Sequence, residues 1–136
     1  MAFYGKNFKK TKFENIDVLL DAFKAPDNVR GLVKNTDSVS RFEKNPDGSV
    51  QYIVSKDGQE HFNQKMTQGV EADFTTPDGI KTKVSCQIND DGVQTVMTFP
   101  HGAKLHMDRV FEGNTMKLIV YKEGSDLKGT IFYEQV

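Results

Sequence analysis

Residues 90–114 read DDGVQTVMTFPHGAKLHMDRVFEGN, and this stretch decides the fold. Two strand-like runs alternate with three turns, which are Asp90-Asp91-Gly92, His101-Gly102 and Glu112-Gly113-Asn114. Glycine adopts positive φ at no steric cost, and Asp and Asn side chains bond the local backbone, so these turns are typical of β-hairpin corners. The stretch therefore predicts an antiparallel meander.

Glycine-containing turns also recur on both sides of this stretch. Glycine recurs every 10 to 13 residues at positions 48, 58, 69, 79, 92, 102, 113 and 124, for example in Pro46-Asp47-Gly48, Lys56-Asp57-Gly58 and Pro77-Asp78-Gly79. We predict a first strand at 5–13 and then strands at 38–45, 49–55, 60–67, 70–75, 80–88, 93–99, 103–111, 115–123 and 128–135. An open sheet of ten strands has two exposed edges, which closure into a barrel removes. Since eight strands enclose a space that side chains just fill, ten predict a cavity.

A helical period interrupts the strands only once, between the first strand and the second. Pro26 divides this segment into helices predicted at 15–23 and 27–34. Glu14 or Asn15 can cap the first helix, and Asp27 or Asn28 the second. Their apolar faces consist of Ile16, Leu19, Leu20 and Phe23, then Val29, Leu32 and Val33. The predicted fold class is mainly β: a ten-stranded antiparallel up-and-down barrel with a helix-turn-helix lid, forming one domain over residues 1–136.

Composition restricts the partners and the compartment. The formal net charge of −1 gives no electrostatic reason to expect nucleic acid or an anionic membrane as the main partner. Lys9, Lys10 and Lys12 form a small basic cluster that we interpret as one solvated strand face rather than a phosphate-binding patch. The single cysteine, Cys86, excludes an intrachain disulfide. Without an apolar leader or a run long enough to span a bilayer, we predict a cytoplasmic protein.

Arg109 is the sharpest candidate for a binding residue. It shares a strand face with Leu105, Met107 and Phe111, so it lies in an otherwise apolar row. A buried charge must be paired or hydrated. In one interpretation this face points inward and Arg109 binds a ligand. In the other, the face points outward, or Arg109 pairs with the neighbouring Asp108 or Glu112.

Tyr133 shares a strand face with the apolar Ile131, so its hydroxyl projects beside an apolar neighbour. It is either a ligand donor or an interior aromatic whose hydroxyl meets the backbone or a water.

No pattern of catalytic or metal-binding residues is present. His61, His101 and His106 lack ligand spacing, and Cys86 has no histidine nearby in sequence, so it is interpreted as a small buried strand residue. We therefore predict no cofactor, no metal site and no enzymatic activity.

Several local runs resemble the intracellular lipid-binding proteins, the fatty-acid-binding protein family, and the resemblance covers essentially the whole chain. Phe3-Tyr4-Gly5-Lys6 and Glu14-Asn15-Ile16-Asp17 are similar to its F-x-G-x-(Y/W) and E-N-(F/Y)-(D/E) elements. Residues 75–83, TTPDGIKTK, resemble T-T-A-D-G-R-K-V-K. Leu105-His106-Met107-Asp108-Arg109 with Glu112-Gly113-Asn114 resembles its strand with an inward arginine, and residues 130–136, TIFYEQV, resemble its final T-R-x-Y-E-K-V.

The resemblance implies a flattened barrel of the β-clam (calycin) type with a lid and a water-containing cavity for one fatty acid. Of the two arginines and one tyrosine that anchor the carboxylate in many members, one arginine falls on Arg109 and the tyrosine on Tyr133. The second arginine falls on Ile131, Phe99 stands where tryptophan is common, and Gln59-Glu60-His61 replaces the portal phenylalanine. The expected ligand-binding residues are Arg109, Tyr133, Ile131, Met97, Phe99, Met107, Ile80, Ile16, Leu20 and Val33.

The resulting functional hypothesis is an intracellular, non-catalytic, monomeric carrier of one long-chain fatty acid, with transient membrane contact for ligand transfer. A carrier of a retinoid or another acidic lipid is the first alternative. The second is a secreted lipocalin-type binder. That family would have Gly-x-Trp where this sequence has Gly5-Lys6-Asn7-Phe8, with Phe8 and no tryptophan. The third is an enzyme or a purely structural β module.

Overall fold

The computed structural model describes residues 3–76 and 79–136, and it contains ten strands and two helices. Every predicted boundary lies within two residues of the observed one. In chain order the elements are β1 Asn7–Glu14, α1 Ile16–Ala22, α2 Asp27–Lys34, β2 Val39–Lys44, β3 Val50–Lys56, β4 Gln59–Met66, β5 Ala72–Thr75, β6 Lys81–Asn89, β7 Gly92–Thr98, β8 Lys104–Glu112, β9 Thr115–Lys122 and β10 Lys128–Gln135.

The ten strands form a single antiparallel sheet. Each strand pairs with its neighbours in sequence, except that β1 pairs with both β2 and β10, and β4 and β5 are the two edges. Between these two edge strands, which are not hydrogen-bonded to each other, the rings of Phe62 on β4 and Phe74 on β5 are in contact, with centroids 5.6 Å apart. The sheet is thus a nearly closed barrel with two helices between β1 and β2, which confirms the predicted fold class.

Away from the β-bulges, side chains alternate between the inside and the outside of the barrel. On β6, for example, Thr82, Val84 and Cys86 are buried whereas Lys81 and Lys83 are exposed. The end of the barrel remote from the helices is filled by apolar side chains, and we call it the closed end. Its most deeply buried members are Phe8, Phe42, Val50, Val93 and Met116.

The hairpin corners have the backbone that their residues predict. Asp57 and Gly58 both have positive φ, 54° and 77°, as a two-residue hairpin turn with right-handed strand twist requires. Of the predicted Pro77-Asp78-Gly79 corner, only Gly79 belongs to the described residues, and its φ is 87°.

Of the predicted helix caps, Asn15 is at the expected position, but neither helix has a side-chain capping hydrogen bond. Asn15 precedes α1 in the left-handed region, with φ 56°, and its side chain makes no capping hydrogen bond. Pro26 precedes α2, so Asp27 lies within the first turn rather than at the cap. There its carboxylate still interacts favourably with the positive end of the helix dipole.

Candidate functional site

Arg109 lies inside the barrel on β8, with 7% of its surface exposed. Its guanidinium carbon is 4.8 Å from the ring centroid of Tyr52 and 5.6 Å from that of Phe42. Those ring faces stabilise the cation, but its buried Nε has no hydrogen-bond partner. The alternative of an outward, ion-paired Arg109 is wrong, because Asp108 points to the opposite side of the sheet and its carboxylate interacts with Tyr121.

Among the residues that the structure describes, no acidic side chain is buried in the interior. The buried polar and charged side chains of the described residues are Ser40, Ser49, Thr82, Thr95 and Arg109, and none of these is a carboxylate. Thr95 on the adjacent strand β7 also has a hydroxyl oxygen without a hydrogen-bond partner. The interior around β7 and β8 is therefore electropositive and has unused hydrogen-bonding groups.

Tyr133 also lies inside the barrel, on β10, with 3% of its surface exposed. Burial and the phenol of Tyr52 raise the pKa of Tyr133 well above its usual range, although the positive charge of Arg109 acts in the opposite direction. Tyr133 is therefore neutral at physiological pH, and its hydroxyl can donate a hydrogen bond to an anion.

Lys10 is a half-buried polar residue on the inward face of β1, which the sequence interpretation missed. It lies directly opposite Tyr133 in the β1–β10 register, and its Nζ donates hydrogen bonds to the carbonyl oxygens of Val33 at 2.7 Å and Leu32 at 3.1 Å. Burial, followed by the charge of Arg109, lowers the pKa of Lys10 to about 8.

The prediction of one solvated face for Lys9, Lys10 and Lys12 is therefore wrong for Lys10. The alternation that buries Phe8 also turns Lys10 inward. A β-bulge between Lys10 and Lys12 then leaves Lys12 exposed, where it pairs with Glu14 at 3.2 Å. The two-residue spacing from Phe8 to Lys10 was the sequence signal for the inward lysine.

The other predicted ligand-binding residues lie at three levels of the barrel. Ile131 is buried on β10 between Phe13 and Leu118, and Met97 and Met107 are half-buried on the inward faces of β7 and β8. Ile16 and Leu20 are buried on α1, and Val33 is half-buried on α2. Phe99 follows β7 and stacks on His101, and Ile80, 38% exposed, lies at the rim.

The interior towards the helices is less tightly filled than the closed end. Inward-facing side chains there are only half-buried, namely Phe62, Phe74, Met97, Met107 and Val120. Two crevices on the barrel have cavity volumes of only about 10 and 30 Å³, far below the roughly 300–1,000 Å³ of a ligand pocket, and neither is lined by Arg109. A ligand-sized cavity in the part of the interior towards the helices therefore stays a prediction.

His106 lies outside this interior, whereas Cys86 lies inside the barrel, directly opposite Thr95. His106 stacks on Tyr121 with ring centroids 4.7 Å apart, and its Nε2 lies 3.3 Å from Glu123 Oε1. Cys86 is buried, which raises the pKa of its thiol. Within residues 3–76 and 79–136, no three His, Cys, Asp or Glu side chains are placed to hold a metal ion. In the same part of the chain, neither helix is long and apolar enough to span a bilayer.

Comparison with solved structures identifies the fold. The fatty-acid-binding protein of Manduca sexta is 20% identical, with a TM-score of 0.82 over 98% of this chain and 99% of that chain. A fatty-acid-binding protein of Schistosoma mansoni in complex with arachidonic acid is 18% identical, with a TM-score of 0.83 over 100% of this chain and 98% of that chain. Secretory abundant heat soluble protein 4 of Ramazzottius varieornatus is 17% identical, with a TM-score of 0.80 over 98% and 94%.

These similarities concern three-dimensional structure. No protein-family model matches the sequence, and no curated protein sequence matches it significantly. The resemblance seen in the sequence is confirmed for the fold, which is that of the fatty-acid-binding proteins.

Proposed function

We propose that this protein is a non-catalytic carrier that holds one long-chain fatty acid, or a similar acidic lipid, inside the barrel. The observation that supports this most directly is the buried Arg109 guanidinium, which has an unpartnered Nε and no buried carboxylate in the described interior. An uncompensated buried charge is costly, and a guanidinium fork suits a carboxylate. A ligand carboxylate would therefore supply the missing partner.

Tyr133 is proposed as the second headgroup residue, since its neutral hydroxyl faces the same interior as Arg109. The acyl chain would extend from there towards the helices along Met107, Met97 and Val120, whose inward faces are not fully packed. Unbranched methionine side chains adapt to a flexible chain. Ile131 would contribute an apolar contact rather than a second arginine.

The same interior suits a retinoid or another acidic lipid, because Arg109 selects for an anionic headgroup and not for the shape of the apolar part. We propose a cytoplasmic monomer that makes transient membrane contact through the lid, where Val18 and Leu32 are 54% and 55% exposed. The fold does not decide the compartment, since a secretory heat soluble protein shares it. A secreted binder is the alternative, and fractionation of cells and medium distinguishes the two.

A structural β module without a ligand is the second candidate function. Tight ring packing at the closed end favours it, since Phe3 stacks on Phe111 with centroids 4.1 Å apart and Phe8 meets the same ring at 5.4 Å. A module of this kind would be stabilised by its core alone and would carry no lipid.

Native mass spectrometry of the freshly purified protein, followed by lipid extraction, tests the proposal directly. We expect an acidic lipid at a ratio of one per chain, and a fluorescent fatty acid should then saturate the delipidated protein near one equivalent and be displaced by oleate. The protein unfolded in denaturant is the control for nonspecific partition. Absence of saturable binding with every acyl and retinoid probe would favour the structural module.

A further inference from the structure

Lys10 connects the barrel wall to the lid. Its ammonium donates two hydrogen bonds to carbonyl oxygens in the last turn of α2, those of Leu32 and Val33, across 22 and 23 residues of sequence. The last carbonyl groups of a helix have no partner within the helix and lie at the negative end of its dipole. Lys10 therefore fastens the end of α2 to β1.

The other contacts of α2 are mostly polar and lie at its surface. Arg30 pairs with Asp21 and Lys34 with Asp17, both on α1. Lys34 also lies over the Phe13 ring of β1, and Val33 packs against the core. No residue of this helix is buried, and Leu32 is more than half exposed. A helix of eight residues is not stable in isolation. The two hydrogen bonds from Lys10 join α2 directly to the barrel wall, whereas the ion pairs of Arg30 and Lys34 join it to α1.

The same side chain lies on the strand face that lines the proposed headgroup site. Lys10 lies directly opposite Tyr133, and residues opposed across antiparallel strands have Cβ atoms about 4.5–5.5 Å apart. The charge of Arg109 is the second cause, after burial, that lowers the pKa of Lys10. Two cations therefore share an interior in which the described residues bury no carboxylate.

We propose that Lys10 is a further binding residue for the anionic headgroup and that it couples occupancy of the site to the seating of α2. This inference rests on the proposed function, because it requires an acidic ligand. An ammonium has three donors, of which the carbonyl groups of α2 occupy two. The third is available to a carboxylate held by Arg109 and Tyr133, and the negative charge would relieve the repulsion between the two cations.

Two matched variants test the headgroup role. Lys10→Met removes the ammonium and retains an unbranched apolar stem, and Lys9→Met makes the same change at the neighbouring position on the outer face of β1. We expect Lys10→Met to weaken oleate binding about tenfold or more, as loss of a hydrogen bond to a charged group implies, and to leave oleyl alcohol binding nearly unchanged. Lys9→Met should change neither affinity.

Hydrogen exchange of the α2 amides tests the coupling. Without ligand, these amides should exchange several-fold faster in Lys10→Met than in Lys9→Met, and oleate should slow them by a larger factor in the unmodified protein than in Lys10→Met. Equal oleate affinities for the two variants would overturn the headgroup role. Equal weakening of oleate and oleyl alcohol by Lys10→Met would reduce Lys10 to a lid contact. If the unmodified protein binds neither ligand, the proposed function itself fails.

Discussion

At the scale of the residue, the barrel stabilises a guanidinium without an ion pair. The rings of Phe42 and Tyr52 present their faces to Arg109, and such cation–π contacts contribute up to about 2 kcal/mol each when desolvated. They do not satisfy the hydrogen-bonding capacity of Nε. The Nε–H group of Arg109 therefore lacks an acceptor, and a carboxylate oxygen can supply one.

Replacing Arg109 by leucine tests this assignment. The Arg109→Leu variant should bind oleate about 1–3 kcal/mol more weakly, the usual range for hydrogen bonds to charged groups, while its affinity for oleyl alcohol changes much less. Because the variant also removes an unpaired buried charge, its free energy of unfolding should not be lower than that of the unmodified protein. Displacement titrations and urea unfolding measure the two quantities.

Unchanged affinities for both ligands would show that Arg109 is not the anchor. The headgroup would then lie near the lid, or the natural ligand would be uncharged. A strongly destabilised variant would instead assign Arg109 to the core.

At the scale of the element, helix α1 is seated on β10 by one close approach. A Cβ atom built on the buried Gly129 would lie 2.8 Å from Ile16 Cδ1, 3.2 Å from Leu19 Cδ2 and 3.3 Å from the carbonyl oxygen of Asn15. The side-chain ends can move, but the Asn15 carbonyl belongs to the backbone where α1 begins. Gly129 is therefore required for the close packing of α1 against the strand.

Alanine substitutions at two glycines separate this packing effect from helix propensity. Gly129→Ala should lower the free energy of unfolding by about 1–3 kcal/mol, as overpacking of a filled site usually does. In Gly31→Ala the new methyl group meets nothing within 4 Å, and because Gly31 lies inside α2 the change should raise stability by roughly 0.5–1 kcal/mol. Urea unfolding measures both. If Gly129→Ala is as stable as Gly31→Ala, α1 does not depend on this contact.

At the scale of the whole molecule, closure of the sheet determines which charges are removed from water. Strands β1 and β10, from opposite ends of the chain, pair along their length and place Lys10 and Tyr133 face to face inside the barrel. Tyr133 is buried and Lys10 is half-buried, and unfolding exposes both to water, so the free energy of unfolding depends on how far the fold shifts the pKa of each. The lowered pKa of Lys10 makes stability rise with pH between about 8 and 10.5, whereas the raised pKa of Tyr133 makes stability fall above the ordinary tyrosine value of 10.0.

The pH dependence of unfolding follows from Lys10. The pKa of Lys10 is about 8 in the folded protein and 10.5 in the unfolded chain. Between these two pH values the unfolded chain therefore binds more protons than the folded protein. Stability should therefore rise with pH in that window, relative to Lys10→Met, which lacks this titration. Measurements should stop near pH 10, since the raised pKa of the buried Tyr133 makes folding less favourable above the ordinary tyrosine value.

Urea unfolding of the two proteins at pH 7, 8, 9 and 10 gives this comparison. The stability of the unmodified protein relative to Lys10→Met should be lowest near pH 7 and should increase towards pH 10. A difference that is constant across the series would mean that Lys10 stays solvated in the folded protein.

The sequence by itself determined the elements and their order. Glycine has positive φ at Gly58 and Gly113, as the turn chemistry predicted, and the change from a two-residue to a helical period placed α1 and α2 to within one residue. These features depend on the conformational preferences of adjacent residues, which are present in any local stretch of chain. The direction of Arg109 was not determined locally, because its apolar strand face left both an inward and an outward orientation open.

Only the tertiary structure decided the partners of the interior charges. Lys10 acquired its acceptors from α2, and Arg109 acquired its ring contacts from β2 and β3, far away in sequence. A bulge in β1 separated Lys10 from Lys12, although the two read as one basic cluster. Burial and pairing are properties of the closed barrel, because the free energy of a charge depends on which groups surround it, and no local pattern specifies those groups.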